Sequence, residues 1–223
     1  SSDSSAMGFT IIDAKTQSSL DWVIFKDFNT LSYEGWNLTG AVTFYESDVA
    51  ISNTQFMENH CEDALNIVRS EFTMTNSSIL DAFADGFDTD FASGIIESCK
   101  FIRIGNDGVD FSGSTIEIKN VSIDHAGDKG VSGGESSTLF LENILVENSN
   151  IGVASKDRSV VNGKGIRIKN TYCALAVYQK KTEYDPARLF VENVELENIT
   201  RKNLLGEGSI LVIDGIKNIG IEK

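Results

Sequence analysis

Residues 85–110 read DGFDTDFASGIIESCKFIRIGNDGVD, so the tetrapeptide DGFD at the start returns as DGVD at the end, 22 residues later. The same step continues in both directions and gives three adjacent columns of residues. The first column holds Asp63, Asp85, Asp107, Lys129, Ile151 and Cys173; the second holds Ala64, Gly86, Gly108, Gly130, Gly152 and Ala174; the third holds Leu65, Phe87, Val109, Val131, Val153 and Leu175. A fixed period of about 20–50 residues is typical of repeat architectures, in which each unit stacks on its neighbours.

Short segments of alternating apolar and polar residues follow the same period, for example FTMTNSSI at 72–79 and TLFLENILV at 138–146. Such alternation is typical of β-strands. A column of turn residues recurs in them: Asn53, Asn76, Ser98, Asn120, Asn143, Gly165 as the exception, and Asn193. We expect stacked amides in this asparagine ladder to hydrogen-bond along the molecule and to satisfy buried polar groups. The unit predicts one coil of an all-β parallel solenoid, with three strands and three bends.

On these residues the chain resembles the right-handed parallel β-helix superfamily, also called pectin-lyase-like, over residues 9–205. It is also similar to β-helix segments of large secreted bacterial surface proteins. The resemblance implies a right-handed coil, an extracellular or cell-surface location and a polysaccharide partner. No motif of a particular lyase accompanies it.

One domain is expected over residues 9–223, because single all-β domains of this length are common. Residues 9–45 lack the clean period and are interpreted as irregular first coils and a cap, residues 46–200 as regular coils, and residues 201–223 as a C-terminal strand or hairpin cap. Residues 1–8, SSDSSAMG, are interpreted as a linker or a cloning remnant. Other domains of a longer parent chain are therefore expected.

Composition disfavours several classes of partner. The formal net charge of −14, from 33 acidic and 19 basic residues, argues against DNA or RNA. No apolar run reaches the roughly 18 residues of a membrane-spanning helix. Cys61, Cys99 and Cys173 form no CxxC pair, so they are expected to be free thiols that behave as small apolar residues.

One face of the coil collects the candidate functional residues. If the apolar column points inward, the alternation of a strand turns its neighbours outward. The outward positions include Asn66, Asp88, Asp90, Asp110, Lys156 and Tyr178, and nearby bends add Glu135, Asp157, Lys180 and Lys181. Residues 61–110 carry ten acidic and three basic side chains, whereas residues 153–181 carry seven basic and one acidic. This polarity predicts a groove whose acidic half holds a cation and whose basic half holds sugar carboxylates or sulfates.

The acidic half allows three interpretations. Asp88, Asp90 and Asp110 are expected within about 5–7 Å of one another, from the spacing of strands and of residues along them. Clustered carboxylates repel, so the pKa of one of them must rise. The three side chains are therefore calcium ligands, since Ca²⁺ prefers carboxylate oxygens, or an acid–base pair for glycoside hydrolysis, or an exposed acidic patch that water and salt screen.

The basic half indicates a different chemistry. Lys156 and Tyr178 are adjacent in one outward column and are candidates for β-elimination from a uronic acid, a reaction that lyases of the superfamily perform with calcium and basic residues. The alternative is a surface lysine packed along a tyrosine ring. Lys129 follows Asp107 by one coil and is either catalytic or part of an inter-coil salt bridge. The aspartate column itself is interpreted as bend-capping side chains that accept backbone N–H groups.

The preferred hypothesis is a secreted domain that cleaves or binds an acidic glycan, with lyase chemistry favoured over hydrolysis. Its catalytic residues would be Asp88, Asp110, Lys129, Lys156 and Tyr178; its substrate contacts Asn66, Glu135, Lys180 and Lys181; and its ligands for Ca²⁺, the candidate cofactor, Asp88, Asp90 and Asp110. The alternative is a non-catalytic module of a larger cell-surface protein, serving as a spacer, an adhesion surface or a carbohydrate-binding surface.

Overall fold

The computed structural model describes residues 7–33 and 35–221, and every regular element within them is a β-strand. The strands form three faces, A, B and C, and each coil of the chain passes through all three. Face A contains Phe9–Ile12, Gly40–Tyr45, Asp63–Val68, Asp85–Asp90, Val109–Ser112, Lys129–Gly134 and Ile151–Lys156. Face B contains Ser18–Asp21, Val49–Ser52, Glu71–Thr75, Ser93–Glu97 and Ile210–Ile213, and face C contains Ile24–Lys26, Gln55–Met57, Ser78–Ala82 and Lys100–Ile104.

Four longer strands bend from one face to the next without a break. Thr115–Ala126 and Thr138–Glu147 run through faces B and C, and Val160–Tyr178 and Arg188–Leu205 run through all three. The pairing between coils is parallel throughout these faces. The parallel solenoid expected from the repeat is confirmed.

The apolar column forms the inner side of face A. Phe87 is the register partner of Leu65 in the preceding coil and of Val109 in the following one. The column continues through Val131, Val153 and Leu175. These side chains are fully buried and join inward residues of faces B and C in one core along the axis of the solenoid. The inward phase fixes which side chains of face A point to solvent.

The glycine and alanine column is small because backbones approach closely there. A Cβ atom on Gly108 would lie 2.6 Å from the carbonyl oxygen of Gly130 and 2.8 Å from a side-chain carbon of Ile123 on face C. Gly86, Gly108, Gly130 and Gly152 do not have positive φ values. Tight packing between coils, rather than a special backbone conformation, therefore excludes larger residues.

The asparagine ladder marks a left-handed turn between faces B and C. All seven residues of the column have φ between +47° and +68°, a region that asparagine and glycine tolerate better than other residues do. Most of the side chains are exposed, and one amide–amide hydrogen bond joins Asn143 to Asn120, at 3.1 Å. The column is in register as predicted, but the expectation that it satisfies buried polar groups is wrong, because backbone conformation selects these residues.

Hydroxyl groups take the role that was expected of the amides. At the corner between faces A and B, the N–H of Ser47 donates to Oγ of Ser70 at 2.8 Å. Further along the same corner, the N–H of Ala92 donates to Oγ of Ser114, and the N–H of Ser114 donates to Oγ of Ser137, both at 3.0 Å. These serines are buried, so their hydroxyls satisfy corner amides that water does not reach.

The two ends differ from the regular coils. The first three strands, Phe9–Ile12, Ser18–Asp21 and Ile24–Lys26, form a coil in parallel register with the next, and the antiparallel pair Leu31–Tyr33 and Trp36–Leu38 follows it. At the other end, Ile210–Ile213 pairs antiparallel with Ile216–Ile219 around a turn at Asp214 and Gly215, both with positive φ. Of the expected linker, residues 1–6 lie outside the described residues.

Two compositional expectations can be compared with the structure. Cys61, Cys99 and Cys173 are free and buried, and burial raises the pKa of each thiol. Across 7–33 and 35–221 no helix is long and apolar enough to cross a membrane.

Candidate functional site

A groove of about 360 Å³ lies on the outer side of face A. Its lining contains seven carboxyl groups and three lysines: Thr39, Glu62, Asp63, Asp85, Asp88, Asp90, Asp110, Ser112, Glu135, Lys156, Lys180 and Lys181. The groove therefore brings together most of the predicted site residues. It also adds Glu62, Asp63 and Asp85, of which the two aspartates had been assigned to the bend.

The centre of the groove is a hydrogen-bonded trio of side chains. Asp88 is the register partner of Asn66 in the preceding coil and of Asp110 in the following one. Nδ2 of Asn66 donates to Oδ2 of Asp88 at 2.9 Å and to Oδ2 of Asp63 at 3.2 Å. The amide therefore connects two carboxyl groups that come from different coils.

The pKa values of both carboxyl groups of the trio are raised above their usual range. Burial, followed by the nearby charges of Asp63, Asp90 and Asp110, raises the pKa of Asp88 well above its usual range. Burial is also the main reason that the pKa of Asp63 rises to about 7, with a further contribution from the charge of Asp85. Both shifts favour the protonated form of these carboxyl groups, which is the form that can donate a proton.

The neighbouring carboxyl groups are perturbed in the same direction. Burial raises the pKa of Asp85 and that of Asp90, and like charges add to the effect at Asp90, chiefly from Glu135 and then Asp110. Oδ1 of Asp85 accepts the backbone N–H of Asp107 at 2.8 Å. The bend-capping role expected for the aspartate column is confirmed at this position.

Lys129 belongs to a buried ion pair and does not line the groove. Its Nζ lies 3.1 and 3.2 Å from the carboxylate oxygens of Asp107 and 2.5 Å from Asp128, and the Lys129 side chain is 10% exposed. Burial lowers the pKa of Lys129, but the two carboxylates outweigh burial and raise it; Asp107 itself, mainly through burial, has a pKa of about 6. The inter-coil salt bridge is present, and it occupies the ammonium that a catalytic role would require.

The side chain of Lys156 extends across two coils to the acidic part of the groove. Its Nζ is 3.5 Å from both carboxylate oxygens of Asp110, and the residue is 5% exposed. Tyr178 is its register partner in the next coil, as expected. Burial is the main reason that the pKa of the Tyr178 hydroxyl is raised, which leaves less of it deprotonated at neutral pH.

The end of the groove near residues 179–187 is held by paired charges. Nζ of Lys181 lies 2.5 Å from Oε1 of Glu135, and Oγ of Ser112 donates to the other carboxylate oxygen. Burial raises the pKa of Glu135, but the hydrogen bonds from Lys181 and Ser112 outweigh burial and lower it. Oδ1 of the buried Asp157 accepts the backbone N–H groups of Lys180 and Lys181 at 2.6 and 2.7 Å.

The predicted basic half does not form one surface. Arg167 and Lys169 lie on face C, where they pair with Glu195 and Glu197, at 2.6 and 3.4 Å. Lys164 lies on face B. A cluster along the sequence spreads over three faces because successive segments of a coil point in different directions. The basic side chains left at the groove are Lys156, Lys180 and Lys181.

Calcium ligands do not converge in this conformation. Among the residues described, no group of three or more His, Cys, Asp or Glu side chains is arranged to hold a metal ion. The ammonium of Lys156, rather than a third carboxylate, lies beside Asp110. Asp88, Asp90 and Asp110 therefore do not form a ready-made ligand set in this conformation, and calcium binding stays a prediction.

A family model for the right-handed β-helix region matches residues 63–219. The chain belongs to this family. Among solved structures, the catalytic domain of a GH87 α-1,3-glucanase in complex with nigerose is 14% identical, with a TM-score of 0.40 over 93% of this chain and 53% of that one. A pectate lyase from Paenibacillus sp. 0602 is 11% identical, with a TM-score of 0.36 over 92% and 65%. The chain spans about half the length of the glucanase domain. A search among curated proteins finds no match.

Two kinds of carboxyl group lie side by side in this β-helix. Burial and like charges raise the pKa of Asp88 well above its usual range, whereas the carboxylate of Asp110 faces the ammonium of Lys156. Two carboxyl groups in different environments are the arrangement that acid–base chemistry requires. The 22-residue period of the sequence indicated that Asp88 and Asp110 are neighbours. The connection of Asp63 to Asp88 could be found only from the hydrogen bonds of Asn66.

Proposed function

We propose that this β-helix hydrolyses a polysaccharide bound along face A, with Asp88 as the general acid and Asp110 as the second carboxylate. The observation that carries the proposal is the raised pKa of Asp88 beside a carboxylate held by a lysine. The protonated carboxyl would donate to the glycosidic oxygen as the bond breaks, and the carboxylate would stabilise or attack the sugar carbon.

The register of the pair is compatible with glycoside hydrolysis. Asp88 and Asp110 are register partners on adjacent strands, which lie about 4.8 Å apart. Retaining enzymes have carboxyl groups about 5 Å apart, whereas inverting enzymes leave room for a water molecule between them. A covalent glycosyl intermediate would form on Asp110 in the retaining case, and the configuration of the released sugar distinguishes the two.

The charges of the groove favour hydrolysis over the lyase chemistry expected from the sequence. Elimination from a uronic acid requires a free base and a positive group for the sugar carboxylate. Lys129 and Lys156 are buried in ion pairs, and the pKa of Tyr178 is raised. An excess of carboxyl groups would also repel an anionic glycan. The extracellular or cell-surface location stays part of the proposal, since polysaccharides are met there.

A non-catalytic glycan-binding role is the second candidate, and a surface on face B supports it. Phe140 and Phe190 are exposed on either side of Asn162, which is the register partner of both. They flank a shallow cavity of about 490 Å³ whose lining includes Lys119 and Lys164. Exposed aromatic rings with polar groups between them suit the mixed apolar and polar faces of sugars.

The test is a panel of neutral, uronate and amino-sugar polysaccharides, with new reducing ends and unsaturated products measured separately. Hydrolysis gives reducing ends without the absorbance of an unsaturated sugar. Asp88→Asn should lower the rate at least about a hundredfold, since general acid catalysis contributes that much. The matched control is Asp81→Asn, at an exposed ion pair with Arg103 on face C. No product from any polysaccharide, or full activity in Asp88→Asn, would refute the proposal and leave the binding role.

A further inference from the structure

We infer that the groove takes a polysaccharide that carries free amino groups, and that an ammonium of this ligand replaces the Lys156 ammonium at Asp110. The inference names the substrate class and rests on the proposed function. It depends on the charge of the lining, on the way Lys156 lies in the groove, and on a buried hydroxyl without a partner.

The lining has a strong excess of negative charge. Seven carboxyl groups face three lysines, and one of these lysines, Lys181, is already paired with Glu135. The carboxyl groups still outnumber the lysines when Asp63 and Asp88 are protonated. A cleft lined by one sign of charge concentrates ligands of the opposite sign. A cationic sugar therefore fits the groove better than a neutral or an anionic one.

Lys156 shows how an ammonium group is held there. Its side chain starts two coils away from Asp110 and passes over Gly134, where an added Cβ would lie 3.4 Å from Cε of Lys156. Both contacts to the Asp110 carboxylate measure 3.5 Å, longer than the usual 2.7–2.9 Å of a charged hydrogen bond. A ligand amine that approaches from solvent can make a shorter contact and displace this ammonium.

A buried hydroxyl beside this contact lacks a partner. Ser132 is the register partner of Asp110 in the outward column of face A, and it is fully buried. No group in the described part of the chain makes a hydrogen bond with its Oγ. Buried polar groups are almost always paired, and leaving one unpaired is unfavourable. Ser132 lies below the lining of the groove, two residues before Gly134, over which Lys156 passes. A ligand that takes the place of Lys156 would approach this hydroxyl and could supply its missing hydrogen-bond partner.

The experiment compares a glucosamine hexamer with its fully N-acetylated counterpart by titration calorimetry at low and high salt. The free amine should bind about tenfold more tightly at low salt, as expected for one partly buried ion pair, and salt should reduce the difference. Asp110→Asn should remove the preference. Lys156→Met should strengthen binding of the amine, because a competing ammonium is gone, whereas Lys100→Met on face C should change neither affinity.

Equal binding of the two hexamers by the wild-type protein would overturn the inference, and so would weaker amine binding by a folded Lys156→Met variant. The outcome for hydrolysis is separate. Cleavage of neutral chains as fast as amine-bearing chains would refute the inference and leave the hydrolase standing. Tight, salt-sensitive binding of the amine without any cleavage would refute the hydrolase and leave the inference standing.

Discussion

Replacing Asp63 by asparagine should make the protein more stable at pH 8 than the wild type. Asp63 is 2% exposed, and burial raises its pKa from 3.8 to about 7. Between these values the folded protein keeps a proton that the unfolded chain has lost, so unfolding releases a proton. The wild-type free energy of unfolding therefore falls by about 1.4 kcal/mol per pH unit as the pH rises through this window.

The asparagine side chain of the Asp63→Asn variant would have no such titration. Its carbonyl oxygen can still accept the hydrogen bond from Nδ2 of Asn66, which measures 3.2 Å in the wild type. Between pH 5 and pH 8 the wild type loses stability over about two pH units of titration that the variant lacks, so the advantage of the variant should grow by about 3 kcal/mol, most of it below pH 7.

The assay is urea unfolding of both proteins from pH 5 to pH 8, with the denaturant slope checked for equality. Asp81→Asn is the control, and it should lower the free energy of unfolding at neutral pH instead of raising it, because the guanidinium of Arg103 lowers the pKa of Asp81. Loss of this exposed pair should cost no more than about 1 kcal/mol at neutral pH. A difference between Asp63→Asn and wild type that is the same at pH 5 and pH 8 would refute the reasoning.

Three further changes test other parts of the structure. Lys129→Met should destabilise the protein by about 3 kcal/mol at pH 8, because it leaves Asp107 buried and charged. The loss should be smaller at pH 5, where Asp107 is protonated. Urea unfolding at both pH values measures the two losses, with Lys164→Met as the control variant. Gly130→Ala should cost about 1–3 kcal/mol and lower the melting temperature, since its Cβ would lie 2.5 Å from a carbon of Val146. Calcium should raise the melting temperature relative to chelator if the predicted ligands rearrange around it; an unchanged melting curve would reject the calcium prediction.

The fold could be predicted because a solenoid turns sequence distance into spatial distance in a regular way. Residues 22 apart, such as Asp88 and Asp110, are neighbours across coils, so columns in the sequence are columns in the molecule. The role of the asparagine ladder could not be derived in the same way. Asparagine suits both a buried amide stack and a left-handed turn, and the register is the same for both. Only the φ values and the exposure of residues such as Asn120 distinguish them.

The candidate site was predicted less completely because side chains reach beyond their own positions. The period placed Lys156 beside Tyr178, but its long side chain extends back across two coils to Asp110. The period also placed Asp63 in a bend, and the bridge through Asn66 to Asp88 is visible only in three dimensions. Flexible side chains that cross several rows of a solenoid are not specified by the repeat.

Face A departs from the way in which face C arranges charge, and this argues against a role as a simple spacer. Face C contains opposite charges in adjacent coils. Arg167 and Glu195, for example, are register partners, and Nε of Arg167 lies 2.6 Å from Oε2 of Glu195. Face A places Asp88 and Asp110 in register, although like charges directly opposite are destabilising. Burial, followed by the nearby charges of Asp63, Asp90 and Asp110, raises the pKa of Asp88, and such perturbed pKa values cluster at functional sites. Asparagine at position 88 would relieve this repulsion in a spacer without loss of function, whereas a glycan-active groove would lose its proton donor. Asparagine at position 110 would leave the buried ammonium of Lys156 without its carboxylate in either case.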